Sequence, residues 1–335
     1  MDFITGDLAP NTPHLFADLA ELLLMTGYIG RNSLHTNDLA SLLADGAVDF
    51  EDLDIEQDAE VEAAQKGQSS SEKSQRQENQ LEEVFKHLSY RAQALKAYYP
   101  FVVANNTLSL VEPAALSLRY RVYRLLLACS RLRSFEGATG IRQHWAKAFT
   151  QLSQYALAGL APKQAEVRIF DANSTDRRDY YGTDLRKALN KLGQDLAVLT
   201  INGEECQKAG SSGDAGLDLV AVVNFDDGAA TSYALLAQCG AQETGWPQKT
   251  LAAHALRFRS YFQMPFDYPS VMFTPVCYRT ATGEWTDNQA ATGVLLLDRG
   301  RILSLLDAQD CWQAIVEEPW FLAFENGFLG VNAQD

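Results

Sequence analysis

Two polar side chains fall at facing positions in a predicted pair of apolar strands. Asp218 lies in the first apolar run and Gln238 in the second, and the Asp- and Gly-containing segment 225–230 joins the two runs. This pattern predicts a β-hairpin. If Phe225 faces Thr231 across the turn, antiparallel pairing places Asp218 opposite Gln238.

The residues around this pair are apolar on both faces of the predicted hairpin. Val220 and Leu236 share the face of Asp218, and Leu219 and Ala237 lie on the other face. An ionised carboxylate in such surroundings is costly unless a metal ion, a cation or several hydrogen-bond donors compensate it. A bound metal ion is one way to compensate the charge of Asp218. A turn cap or an ion pair with an arginine such as Arg257 is the structural alternative.

Composition places the chain among ordinary globular proteins. Its 335 residues are 47% hydrophobic, which suggests a sizeable core and two or three domains. No apolar run reaches the length of a membrane span, and the first residues lack the features of a secretory signal, so we expect a cytoplasmic protein without membrane association. The five cysteines are widely spaced without CxxC, which indicates reduced thiols.

Several common chemistries have no support in the sequence. The five histidines are scattered and form no HExxH grouping, which argues against a zinc hydrolase. The phosphate loop GxxxxGK[ST], the dinucleotide turn GxGxxG and the hydrolase elbow GxSxG are missing as well.

Charge is concentrated in the first third of the chain. Residues 1–100 contain 18 acidic and 7 basic side chains, whereas the whole chain has a net charge of −15. Segment 45–62 alone contains nine acidic residues and no basic one. It indicates a solvated linker, or alternatively a segment that mimics nucleic-acid charge and covers a basic site.

We predict four regions along the chain. They are a small helical unit at 1–44, an acidic and polar flexible linker at 45–78, a helical domain at 79–137 and an α/β domain at 138–335. The third region should contain a hairpin near 101–111 and a basic helix that ends near Arg133. The arginines of this helix give either a solvated face or a surface that contacts nucleic-acid phosphates; they are Arg119, Arg121, Arg124, Arg131 and Arg133.

The last region reads as helix, strand, hairpin, helix and strand. The predicted segments are a helix at 141–160, a strand at 166–170, a helix from Thr183, the hairpin at 217–239, a helix at 247–262, strands at 271–278 and 293–297, and helices from Arg299 and Asp310. This order predicts an α/β (α+β) fold with a mixed β-sheet flanked by helices, preceded by a helical N-terminal region.

The order and the residues resemble the restriction-endonuclease-like core of the PD-(D/E)xK nuclease superfamily. The resemblance is to defence-associated members with the segments GDxGxDxVA, QC and WxxK, and it covers roughly residues 138 to 316. The matching residues are Gly213, Asp214, Gly216, Asp218, Val220 and Ala221, then Gln238 and Cys239, then Trp246 and Lys249.

The resemblance implies a metal-dependent site. Asp218, Gln238 and the backbone carbonyl of Cys239 would bind Mg²⁺ or Mn²⁺, which prefer oxygen ligands. Lys249 would orient or activate the attacking water. Because Gln238 replaces a carboxylate, we expect weaker metal binding than at a site with two acids. The helix at 141–160 lacks the Glu found in many members.

Three further residues have a less direct relation to this site. Asp214 is expected to act in the glycine-rich turn or behind the metal ligands, and Glu205, or its neighbour Glu204, is a candidate additional carboxylate. The usual pattern places the lysine two residues after the second ligand, where this chain has Gly240, so Lys249 must reach the site from the next helix.

The expected function is that of a metal-dependent nuclease, a hydrolase of phosphodiester bonds in DNA, with RNA as the alternative substrate, in a bacterial antiviral or restriction-like system. The alternative is a degenerate nuclease fold that binds a partner or nucleic acid as a subunit of a defence complex. A protein activator and self-association are further expectations.

Overall fold

A computed structural model of the chain describes residues 2–5, 12–44, 70–111, 117–136, 140–241 and 245–333. The chain divides into two compact units. Unit 1 contains residues 1–139, 278–286 and 325–335, and unit 2 contains 140–277 and 287–324. The division after residue 139 lies close to the predicted boundary at 137/138. The return of two later segments to unit 1 was not anticipated.

Unit 1 begins with helices and short strands. Its elements are β1 (Asp2–Phe3), α1 (Pro13–Met25), β2 (Ser33–His35), α2 (Thr36–Ala44), α3 (Ser70–Leu95), β3 (Phe101–Ala104), β4 (Thr107–Leu110), α4 (Leu118–Ser130) and β5 (Phe135–Glu136). The predicted hairpin near 101–111 is present as β3 and β4, and β2 extends it to a three-stranded antiparallel sheet.

Helix α3 begins earlier than the sequence suggested. It starts at Ser70, so the last part of the predicted linker is helical, and the rest of that linker, 45–69, lies outside the described residues. Its apolar positions recur at helical spacing and are buried, as the pattern predicts; they are Leu81, Val84, Phe85, Leu88 and Leu95.

A buried ionic network joins the helices of unit 1. The Arg91 guanidinium donates to Asp18 Oδ1 and to Glu21 Oε1, both at 2.7 Å, and to the backbone oxygen of His14 at 2.6 Å. The hydroxyls of Tyr99 and Tyr123 donate to the Glu21 carboxylate as well. These charges are almost fully removed from solvent, so each depends on its partners.

Unit 2 contains the larger sheet. Its elements are α5 (Ile141–Leu160), β6 (Glu166–Ile169), α6 (Leu185–Asp195), β7 (Thr200–Ile201), α7 (Gly203–Lys208), β8 (Leu219–Val223), β9 (Tyr233–Cys239), α8 (Ala255–Phe258), β10 (Phe262–Gln263), β11 (Ser270–Phe273), β12 (Leu295–Leu297), α9 (Arg299–Gln309) and α10 (Trp312–Glu317). Helix α11 (Pro319–Leu329) contains the boundary to unit 1, where β13 (Asn332–Ala333) pairs with β1.

The five strands of the larger sheet are ordered β12-β11-β9-β8-β6. Strand β8 runs antiparallel to both of its neighbours, and β9, β11 and β12 are parallel to one another. The described residues therefore form a mixed α/β fold. The hairpin pairs Val223 with Tyr233 and Leu219 with Ala237, which confirms the predicted register within the strands, but the pairing ends there and does not include the predicted partners Asp218 and Gln238.

One face of the hairpin supplies part of the core of unit 2. Val220, Val222, Ala234 and Leu236 pack in one apolar cluster with residues of α6 and with Phe258 and Phe262. Helix α5 contacts β6, β8 and β9. The alternation of apolar residues along β8 thus fixes which side chains meet α6.

The predicted helix at 247–262 is wrong. A 3₁₀ turn covers Pro247–Lys249, and the separate short helix α8 begins after His254. The His254 imidazole Nδ1 accepts a hydrogen bond of 3.2 Å from the backbone N–H of Leu256, so a side-chain cap starts a new helix at this point. The predicted strands at 271–278 and 293–297 are also shorter, at Ser270–Phe273 and Leu295–Leu297.

Candidate metal centre

Asp218 lies directly before β8 and is held from both sides by backbone hydrogen bonds. Its N–H donates to the oxygen of Ala237 at 2.9 Å. Its carbonyl oxygen accepts from the N–H groups of Phe170 and Asp171, at 2.7 and 3.2 Å. The backbone position of Asp218 is therefore fixed between the end of β6 and the end of β9.

The Asp218 carboxylate is part-buried and has one close donor. Its Oδ2 accepts a hydrogen bond of 2.7 Å from the backbone N–H of Cys239. The pKa of Asp218 is raised to about 7, chiefly by burial and also by the carboxylates of Asp214 and Asp171, although the hydrogen bond from Cys239 and the ammonium of Lys249 lower it. The charged form of Asp218 is therefore disfavoured.

One of the two structural alternatives for Asp218, an ion pair with Arg257, does not occur. Arg257 is exposed on α8, and no arginine pairs with Asp218 among the described residues. A cation beside the carboxylate would stabilise its charged form.

Gln238 lies on β9 one residue beyond the last strand pair, Leu219 with Ala237, and the structure does not pair it with Asp218, whose N–H donates to Ala237. Its side chain is part-buried, and within the described parts of the chain its Oε1 is buried without a hydrogen-bond donor. A buried amide oxygen without a donor costs free energy, typically about 1–3 kcal/mol. An amide oxygen is a ligand that a divalent cation accepts, so Gln238 remains a candidate metal ligand.

The Cys239 thiol is not suited to bind a hard cation. Burial raises the pKa of this thiol well above its ordinary value, and the neighbouring Asp218 adds to the shift. The thiol therefore stays protonated, and the group of Cys239 available to Mg²⁺ is its backbone carbonyl, as the sequence suggested.

Lys249 is exposed at the end of the 3₁₀ turn Pro247–Lys249. Its ammonium is close enough to Asp218 to lower the pKa of that carboxyl, although it is the weakest of the named influences. No hydrogen bond or ion pair engages its Nζ in the part of the chain that the structure describes.

Close packing explains why position 240 has no lysine. A Cβ at Gly240 would lie 2.6 Å from Met272 Cε and 2.6 Å from Trp246 Cβ. Such contacts leave no room for a side chain. A lysine ammonium at the end of β9 must therefore come from another segment of the chain.

The glycine-rich loop before β8 is a tight turn. Asp214 Oδ1 accepts a hydrogen bond of 2.8 Å from the N–H of Gly216. Gly216 has φ +82°, and a Cβ there would lie 3.0 Å from the oxygen of Ala252. Asp214 thus shapes the turn and influences Asp218 through its charge.

Glu204 and Glu205 are not part of this arrangement. Both lie in the first turn of α7, and the Glu205 carboxylate pairs with Lys208 Nζ at 2.5 Å. Neither lines the cavity beside Asp218.

A cavity of about 400 Å³ borders Asp218 and reveals a residue that the sequence analysis missed. Asp171 lines it together with Cys239 and with side chains of α5. Because β6 is antiparallel to β8, the end of β6 meets the start of β8, and Asp171 follows the end of β6. An aspartate directly after a predicted strand was the available signal.

Arg177 was missed as well. It is fully buried, and its guanidinium donates to the backbone oxygens of Gly182, Phe170 and Gly213, at 2.8, 3.0 and 3.2 Å. The residues after Phe170 and Gly213 are Asp171 and Asp214. Arg177 therefore holds both acidic loops in place.

The five arginines predicted to contact phosphates in unit 1 do not form one exposed face. Arg131 is buried and donates to the oxygen of Thr5 at 2.5 Å, which corrects its assignment to a surface. Arg121 and Arg124 both donate to the Glu325 carboxylate, the latter at 2.7 Å. Arg133 is exposed and Arg119 is part-exposed.

Among the described residues, no group of three or more His, Cys, Asp or Glu side chains is arranged to hold a metal ion. None of the described helices is both long and apolar enough to cross a bilayer.

Comparisons of the chain with protein-family models, with curated proteins and with solved structures give no match. Function must therefore be argued from the residues of the site.

Proposed function

We propose that this protein is a metal-dependent nuclease with a restriction-endonuclease-like core. One observation supports this most: the Asp218 carboxylate, with a raised pKa, borders a cavity of about 400 Å³ at the end of β8 and β9 and has Asp171 as a neighbour in the cavity lining. A divalent cation in this cavity would stabilise the charged form of the Asp218 carboxylate.

The arrangement of elements supports the same proposal. A helix, α5, precedes β6, and β8 and β9 then form an antiparallel hairpin beside it. Helical turns and the parallel strand β11 follow. This order matches the one on which the resemblance rests, except that a 3₁₀ turn and the short helix α8 replace the helix at 247–262.

The roles of the residues follow from their chemistry. Asp218, Gln238 and the Cys239 carbonyl would hold Mg²⁺ or Mn²⁺, which when bound supplies a polarised, more acidic water and offsets charge on a phosphate. Lys249 would hold an attacking water or a phosphate oxygen through its ammonium. The backbone N–H of Cys239 keeps the Asp218 carboxylate oriented.

The proposed substrate is DNA, with RNA as the alternative, and the proposed setting is a cytoplasmic bacterial antiviral system. A protein activator and self-association belong to the same proposal. The resemblance alone supplies this setting.

A cleavage assay on the full chain tests the function. Plasmid DNA, linear duplex, single-stranded DNA and RNA are incubated with Mg²⁺ or Mn²⁺ and with the wild type, Asp218→Asn or Lys249→Ala. Asp227→Asn in the exposed hairpin turn is the matched control. We expect cleavage by the wild type and the control, and a loss of at least about 100-fold in both site variants, the usual scale for a lost electrostatic group.

The second candidate is a nuclease fold that binds nucleic acid or a partner without cleavage. Gly240 in place of a lysine and the lack of a third clustered ligand in the described regions favour it. Nucleic-acid binding by the wild type without cleavage under any metal would select this function.

A further inference from the structure

The cavity beside Asp218 has two chemically different walls. One wall is acidic and contains Asp171 and Asp218. The other is formed by helix α5 and contains Gln143 and Lys147. These two residues are four apart, so they lie on one face of the helix. The volume of about 400 Å³ falls within the usual range of ligand pockets, roughly 300–1,000 Å³.

The Lys147 ammonium is available for a ligand. Its side chain is exposed, and no hydrogen bond or ion pair engages it within the described residues. Two other exposed basic side chains of unit 2 differ in this respect, because Arg186 pairs with Asp184 and Lys208 pairs with Glu205. Lys147 therefore brings an uncompensated positive charge to the cavity that contains the candidate metal ligand.

We propose that Lys147 binds a phosphate of the nucleic-acid strand within this cavity, next to the cation held at Asp218. The Gln143 amide can donate a second hydrogen bond from the same helix face. The inference rests on the proposed function, because Asp171 and Asp218 would repel a phosphate unless a cation lay between them. Lys147 thus positions the substrate, whereas Lys249, which does not line this cavity, is proposed to hold the attacking water.

A simpler role for Lys147 is to offset the charge of the two carboxylates. The two roles differ in what they change. A phosphate contact contributes to substrate binding, so its loss raises KM at nearly constant kcat and reduces the salt dependence of binding. Charge compensation changes the affinity of the site for the metal instead.

The test compares Lys147→Ala, Lys147→Gln and Lys147→Arg with the wild type. Lys163→Ala is the matched control, because Lys163 is exposed in the same unit but does not line the cavity. Cleavage kinetics, duplex binding by fluorescence anisotropy at several salt concentrations, and Mn²⁺ binding by calorimetry are measured. Thermal unfolding verifies that each variant is folded.

We expect a KM about five- to tenfold higher for Lys147→Ala and Lys147→Gln, kcat within about twofold, and a salt slope smaller by about one charge. Lys147→Arg should recover most of the affinity, since a guanidinium also binds phosphate. Mn²⁺ affinity and the control should remain unchanged.

Two results would overturn the inference in different ways. Normal KM and salt slope in Lys147→Ala, with or without a change in Mn²⁺ affinity, would remove Lys147 from substrate binding and leave the nuclease function standing. A wild type that neither cleaves nor binds any nucleic acid would remove the proposed function and this inference together.

Discussion

The Asp218 carboxylate accepts a 2.7 Å hydrogen bond from the backbone N–H of Cys239, on the strand that follows it in the sheet. This contact connects the two strand ends that carry the candidate ligands. It orients one carboxylate oxygen and leaves the other for a cation. It also compensates only part of the cost of burying the charge.

Asp218→Asn should therefore abolish metal binding without lowering the folding stability of the metal-free protein. The amide can still accept the hydrogen bond from Cys239 but cannot be ionised. Without divalent cations the variant should be at least as stable as the wild type at pH 8, where the carboxylate is charged in a site that disfavours charge. Addition of Mn²⁺ should raise the melting temperature of the wild type alone. A marked loss of stability in the variant without metal would contradict this view of the site.

Gln238→Glu should strengthen metal binding. A second carboxylate adds charge and a better ligand, so calorimetry should give an affinity for Mn²⁺ about tenfold higher. The metal-free variant should be less stable, because a carboxylate then replaces a neutral amide whose oxygen is buried without a donor. Gln248→Glu, at an exposed position, is the control and should change neither property. Equal Mn²⁺ affinity in Gln238→Glu and the wild type would exclude Gln238 as a ligand.

Gly240→Ala should destabilise the protein through overpacking. The added Cβ meets Met272 and Trp246 at 2.6 Å, and such insertions usually cost about 1–3 kcal/mol of unfolding free energy. Gly203→Ala is the matched control, because nothing lies within 4 Å of a Cβ built there. Denaturant unfolding measures both. Equal stabilities would show that position 240 could accept a lysine and that packing does not explain its displacement.

The periodicity of the sequence predicted much of this arrangement. The helix at 141–160 and the register of β8 with β9 follow from local patterns, and the structure has both. The helix at 247–262 failed because the capping side chain of His254 restarts the helix. Asp171 and Arg177 were missed because their relation to Asp218 depends on the pairing of β6 with β8, which joins residues distant in sequence.

Arg177→Lys should weaken metal binding indirectly, because Arg177 holds the two loops that contain Asp171 and Asp214. Lysine cannot reproduce three hydrogen bonds in the directions of a guanidinium, so buried carbonyl groups lose their donor at about 1–3 kcal/mol each. We expect a lower melting temperature and weaker Mn²⁺ binding. Arg178→Lys is the control, because Arg178 is exposed and its ion pair with Asp179 contributes little. Unchanged metal affinity in a less stable Arg177→Lys would limit Arg177 to a purely structural role.

The two buried histidines of unit 1, His14 and His87, should make the folding stability fall at acidic pH. Burial lowers the pKa of His14 from 6.5 to about 3 and that of His87 to about 4. The unfolded chain takes up these protons near pH 6.5 while the folded chain does not, so stability is full above pH 6.5 and falls as the pH decreases toward 4. Denaturant unfolding at several pH values should show that the free energy of unfolding declines less steeply with acid in His14→Phe than in the wild type. The control His144→Gln, at an exposed position, should decline as the wild type does. Parallel profiles for His14→Phe and the wild type would contradict the assignment.

The location of a bound cation tests the central claim most directly. Crystals of the full chain soaked in Mn²⁺ and measured at a wavelength of strong anomalous scattering should show one peak in contact with Asp218 Oδ1 and Gln238 Oε1, at about 2.0–2.6 Å, and with the Cys239 carbonyl. The same experiment on Asp218→Asn should show no peak there. A wild-type crystal with Mn²⁺ bound only elsewhere, and with Gln238 Oε1 hydrogen-bonded to a water or a protein donor, would contradict the metal centre and the nuclease function built on it.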